Sequence, residues 1–172
     1  MNWLDIIIVL LVLIPSYLGF RKGFMRKILG IIGIAAGFIL TVKFYSSVAG
    51  ILSSFIKESP VIVNVISFLL IVAIIYFLAV WLAKYMSDIG SGSQLINRLL
   101  GTAFGFIQGL LVASVLLYNF SFINFPSEET RNTSMLYSRV INIAPVVFDK
   151  IIDLFPGLKQ EYNKYTGKEE KK

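Results

Sequence analysis

The stretch Asn97-Arg98-Leu99-Leu100-Gly101-Thr102-Ala103-Phe104-Gly105-Phe106-Ile107-Gln108-Gly109 decides the fold. An arginine opens an apolar run, and Gly101, Gly105 and Gly109 then recur every fourth residue, with Ala113 extending the series. At 3.6 residues per turn these positions share one helix face, and that face carries almost no side chain. Lipid tails are as apolar as leucine, so hydrophobic burial does not join helices there. A glycine strip does, because it lets a second backbone approach closely. The stretch reads as a membrane-embedded helix, and the rest of the chain as what it packs against.

Composition agrees. Of the 172 residues, 56% are hydrophobic, against about 45–50% in soluble domains. The mean hydropathy is +0.78. A surface this greasy needs lipid around it, so the expectation is an all-α integral membrane protein in one transmembrane domain. The chain has neither Cys nor His. Disulfides, thiol chemistry, zinc and haem sites are therefore not expected, and the commonest general base is missing. Catalytic residues, cofactors and metals are expected to be none. The net charge is +6, which in a soluble protein would raise nucleic acid. Here the cations flank apolar runs, so the expected partner is the lipid bilayer and not nucleic acid.

Four runs read as spans, the second only if Arg26, Lys27 and Lys43 snorkel outward. The first is 3–20. It has Asp5 near its start and no basic n-region, and Gly19-Phe20-Arg21-Lys22 is no cleavage site, which favours a retained helix over a signal peptide. Pro15 is expected to kink it, with Ser16 helping the carbonyl that the proline frees. The basic turn Arg21-Lys22-Gly23-Phe24-Met25-Arg26-Lys27 follows, read as an anchor for lipid phosphate in preference to a specific ligand site. The second run, 28–42, is short, about 22 Å as helix. Its Gly30, Gly33, Gly37 and Thr41 share a face, the expected mate of the Gly101–Gly109 strip. Residues 43–60 have an amphipathic centre (Val48, Ile51, Leu52, Phe55, Ile56) expected on the membrane surface. The third run, 61–83, lacks glycine and is placed towards lipid, with Trp81 and Tyr85 anchoring its far end.

Between Lys84 and Arg98, Gly90-Ser91-Gly92-Ser93 reads as a plain turn. Its spacing fits no phosphate-binding loop. Asp88 has Arg98 or the Arg21–Lys27 turn within reach. The fourth run, 99–125, is about 40 Å as helix and must tilt or emerge near Asn119. Gln108 lies about 15 Å from the Arg98 end, near mid-membrane, on the Gly101/Gly105 face. A polar residue at that depth faces protein. It is read as interhelical glue, or else as a polar point on a permeation path. Asp5 is expected to pair with Lys43 or to reach the end of the fourth helix near Asn119.

Residues 133–158 carry two apolar stripes, Leu136/Val140/Ile143/Val147/Ile151/Leu154 and Tyr137/Ile141/Ala144/Phe148/Ile152/Phe155. Pro145 is expected to divide them into two short interfacial helices that lie on the membrane or cap the bundle. Residues 159–172 read as a charged, disordered tail. The turns 21–27 and 84–98 hold six Lys/Arg, which puts them in the cytoplasm and both termini outside it.

Three features in this order carry a resemblance: Asp5, the turn Gly19-Phe20-Arg21-Lys22-Gly23-Phe24-Met25-Arg26, and the basic residue Arg98 before Gly101, Gly105 and Gly109. The chain resembles the bacterial colicin V production protein family over roughly residues 1–150. The resemblance implies a four-helix inner-membrane protein with an accessory role in toxin export, biofilm formation or envelope homeostasis. In that family the position of Gln108 is often basic, so a role that needs charge there does not carry over. The first expectation for function is a scaffold or accessory subunit, self-associating through glycine-lined faces or joined to other membrane proteins. The alternative is an oligomeric channel or small-solute transporter subunit, with Asp5, Arg21, Arg26, Arg98 and Gln108 as its polar candidates.

Overall fold

The computed structural model describes residues 2–56, 59–86 and 94–154, together with 157 and 159, and of 83–86 the backbone alone. The Gly90–Ser93 turn, the partner of Asp88, the ring of Tyr85 and the tail beyond 159 lie outside the described residues. Those described form helices and turns, and four of the helices are long and apolar enough to cross a membrane. These are α1 (Trp3–Lys22), α2 (Phe24–Ser53), α3 (Pro60–Met86) and α4 (Gln94–Ser121). Three short helices follow, α5 (Glu128–Thr133), α6 (Tyr137–Val140) and α7 (Ile143–Asp153).

Local chemistry sets the ends. The Asn2 side chain accepts from the backbone of Leu4 and Asp5, while the Asp5 carboxylate accepts from the Asn2 backbone, a capping box that starts α1. Gly23, at φ +81°, takes the left-handed conformation that turns α1 into α2. It has no side chain to cap α2. Asn97 of α4 does so across space, its Oδ1 accepting from Phe24 N at 2.9 Å.

Helix α2 departs from the sequence reading. It does not end at residue 42 with a surface linker behind it. It runs 30 residues to Ser53, about 45 Å. No proline or acidic residue interrupts 43–53, and an isolated Gly50 with open space around it is tolerated in a helix. Residues 43–53 of the expected linker are therefore the last turns of α2, with Ile51 exposed there and Phe55 exposed in the turn just beyond. Helix α1 runs unbroken through Pro15. The Ser16 hydroxyl bonds Val12 O at 2.7 Å, not the Leu11 carbonyl that the proline frees.

The four spans form two antiparallel pairs, α1 with α4 and α2 with α3, and α2 also lies along α4. The expected match between the two glycine strips is overturned. Gly101, Gly105 and Gly109 meet α1, whereas Gly33 and Gly37 meet α3. Helix α3 buries Val65, Phe68 and Val72 and turns Leu70, Ile74, Phe77 and Trp81 outward, so only its outer face looks to lipid.

The short helices pack on the bundle. Val140 joins Leu4, Ile8, Ala113 and Leu117 between α1 and α4. Ala144, Phe148 and Ile152 join Ile34, Phe38, Leu111 and Val115 between α2 and α4, with the rings of Phe38 and Phe148 stacked at 3.8 Å. The 140/144/148/152 line is the most deeply buried, and Leu136, Tyr137, Ile141, Ile143, Val147 and Ile151 of the two expected stripes pack beside it, partly buried. Pro145 falls in the first turn of α7, where its missing N–H costs nothing; the break between the pieces comes earlier, at residues 141–142.

Candidate functional site: a backbone seam with polar points

The seam between α1 and α4 is built from backbone. A Cβ added to Gly101 would collide with the Gly19 carbonyl, one on Gly105 with the Pro15 carbonyl, and one on Gly109 would lie 2.8 Å from the Leu11 oxygen. Three α1 carbonyls, spaced by four residues, thus face three α4 glycines, spaced by four residues and running the opposite way. Each glycine offers a Cα–H to an oxygen, a contact worth about 0.5–1 kcal/mol. The Leu11 carbonyl has no helical amide to accept from, because residue 15 is proline. Gly109 is the group that meets it. Pro15 and the glycine repeat are one device.

Toward the α1 N-terminus the seam residues on α4 grow from Gly109 to Ala113 to Leu117. Larger residues hold the axes further apart, and α6 enters there with Val140. Two polar points strap this segment down. Ser114, buried on α4, donates to Ile141 O at 2.8 Å and accepts from Ala144 N at 2.7 Å. Asp5, 0% exposed, accepts from Ser134 Oγ at 2.6 Å, Leu136 N at 3.1 Å and Asn2 N at 2.9 Å. The expected pairing of Asp5 with Lys43 or the Asn119 region is not what forms. Lys43 is exposed beside the Phe44 ring, ten residues short of the end of α2, and the Asn119 amide donates to Val115 O. Asp5 instead satisfies the start of α1 and the turn before α6.

Gln108 is 1% exposed. It does not lie in the α1 seam. Its Nε2 donates to Tyr76 Oη of α3 at 2.8 Å, and its amide sits in the notch left by Gly30 of α2. So Gly30 serves Gln108, while Gly33 meets Ala79 and Gly37 meets Val72. Gln108 joins three helices, and its Oε1 is buried without a partner. Arg98 and Arg21 are exposed at the opposite end from Asp5, over the rings of Phe20 and Tyr17. Arg26 is half-buried, and its Nε has no acceptor among the described residues. The candidate polar residues therefore divide between two ends and the middle, and form no single cluster. Sequence reading passed over Lys27, Tyr76, Asn97, Ser114 and Ser134. Lys27 looked like one more loop cation, and a serine or tyrosine in an apolar run has no pattern that marks its partner. Among the described residues no group of His, Cys, Asp and Glu is arranged to hold a metal.

Four apolar spans held by backbone seams and buried polar points define a multi-pass α-helical membrane protein. The profile of the colicin V production protein family matches residues 4–145, most of the chain, and the chain belongs to that family. Comparison with curated proteins and with solved structures returned no match. Membership supports a membrane accessory role in general terms, in a family not known for enzymatic activity.

Proposed function

We propose that this chain is a non-enzymatic accessory or scaffold subunit of the bacterial inner membrane, serving toxin export, biofilm formation or envelope homeostasis. The observation that carries this over a channel is the position of Gln108. A pore between copies needs its polar lining on the outer face of each protomer, but Gln108 is buried among three helices of one chain and bonded to Tyr76. A polar group used this way is interhelical glue, worth about 1 kcal/mol. Both glycine strips are also spent within the chain. Assembly with itself or with other membrane proteins therefore uses outward faces such as that of Ile74, Phe77 and Trp81. The excess of Lys/Arg on the 21–27 and 84–98 connections supports both termini lying outside the cytoplasm.

The test pairs function with flux. In a strain lacking this chain, wild type and Q108L should both restore toxin release, biofilm mass and envelope-stress resistance, while G105L should not. Purified protein in a planar bilayer should pass no current. A current that Q108L abolishes would overturn the scaffold reading in favour of the channel.

A further inference from the structure

The end of the bundle opposite Asp5 has an excess of positive charge that nothing described there neutralises. Lys27 is 6% exposed, and its stem crosses the α1/α4 seam, Cε lying 3.3 Å from where a Cβ on Gly19 would be. No carboxylate meets it among the described residues; the charge that it does feel is the like charge of Lys22. Next to it in the chain, the buried Arg26 Nε has no acceptor among the described residues. Both side chains belong to the first turn of α2, which contains no acidic residue. A helix N-terminus is itself positive, so cations are unfavourable there and an anion is favoured. A buried cation without a counter-charge is costly, by several kcal/mol per ion.

We propose that the Gly23 end of the bundle binds the phosphodiester of an anionic phospholipid between Lys27 and Arg26, at the N-terminus of α2. A phosphodiester supplies the missing charge and two unshared oxygens, enough for the Arg26 Nε–H and the Lys27 ammonium together. Free phosphate has the same chemistry. The lipid is favoured as the source because the site stands at the shared end of α1, α2 and α4, three helices long and apolar enough to cross a membrane, and the ends of such helices are where headgroups meet a bundle.

The full chain is purified into phosphatidylcholine nanodiscs with and without phosphatidylglycerol, and its unfolding midpoint is measured. Phosphatidylglycerol should raise the wild-type midpoint by about 3–6 °C. K27M and R26Q should lose most of that rise, and R21Q, at an exposed cation, should keep it. In phosphatidylcholine alone K27M should be at least as stable as wild type, since it removes a cation with no counter-charge. That sign separates a ligand site from a merely structural lysine, and would be absent if K27M simply misfolded. An equal rise in wild type and K27M, or none in either, overturns the proposal. A rise reproduced by millimolar inorganic phosphate in phosphatidylcholine discs overturns the lipid assignment. D88N should leave the lipid-dependent rise unchanged. If D88N destabilises the protein in phosphatidylcholine alone and removes the rise, a carboxylate of the chain, not a lipid, neutralises the cluster, and the proposal fails.

Discussion

The two glycine seams use the same residue for different ends. Between α1 and α4 the glycines face backbone: the carbonyls of Gly19, Pro15 and Leu11 lie where side chains would be. Between α2 and α3 the approach is mixed and less close, with Gly33 against the Ala79 Cβ and Gly37 against the Val72 backbone. In the first seam nothing can give except the helix axes. In the second the clearances are wider than at Gly101 and Gly105, 2.6 Å at Gly33 and 3.1 Å at Gly37, and the tightest contact is a Cβ that substitution can remove. A glycine repeat thus reports close approach, but the partner decides how much the approach matters.

The largest expected effect breaks the backbone seam. G105A puts a Cβ on the Pro15 carbonyl and should cost about 3 kcal/mol or more, at the upper end for overpacking, because both sides are main chain. Unfolding in mixed micelles measures it. A loss under 1 kcal/mol would mean that the two seams do not differ in kind. D5N comes next. It keeps an acceptor for Ser134 and Leu136 but turns an amide donor towards the Asn2 N–H or its neighbours, for a loss of about 2 kcal/mol. The same unfolding curve reads it, and protease cutting within 134–142 should rise.

The α2/α3 seam is looser. G33A meets the Ala79 Cβ, 2.6 Å from the new methyl, and should cost about 1–2 kcal/mol. A79G should restore more than half of that in a double-mutant cycle, a coupling expected of residues in contact. Failure of the rescue would make this seam as rigid as the other. Where the helix pairs meet, Y76F leaves the whole Gln108 amide unpartnered and should cost about 1 kcal/mol. Q108L removes the orphan Oε1 together with the bond, and should stay within about 0.5 kcal/mol of wild type. The reverse order of the two variants would remove the role given to Tyr76. Smallest, and opposite in sign, is G50A. Nothing lies within 4 Å of its new methyl, so the helix should gain about 0.5–1 kcal/mol. A loss would reveal a partner on that face.

Much of the fold was legible because lipid imposes simple rules. A run without charge must be a helix if it spans, so four spans follow from length and hydropathy. The burial of Gln108 was legible too, since polar groups avoid lipid. Its neighbours were not. Angular position placed Gln108 beside Gly101 and Gly105, yet in the bundle those glycines meet α1 while Gln108 meets α2 and α3. The length of α2 was not legible, because Lys43 closes the uncharged run 28–42 while the helix needs no lipid to continue past it to Ser53.

By itself the sequence determined that the chain is an all-α membrane protein with four spans, and which family order its motifs follow. Each of these depends on neighbours in the chain, on periodicity or on transfer from water to lipid. The tertiary structure decided which strip met which helix, that Asp5 holds the turn before α6, and that Lys27 lies buried beside Gly19 with no carboxylate against it among the described residues. A helix face carries no address: glycine permits close approach to any backbone, and a buried carboxylate or ammonium takes whatever group the packing brings to it. Those pairings depend on the whole bundle closing at once.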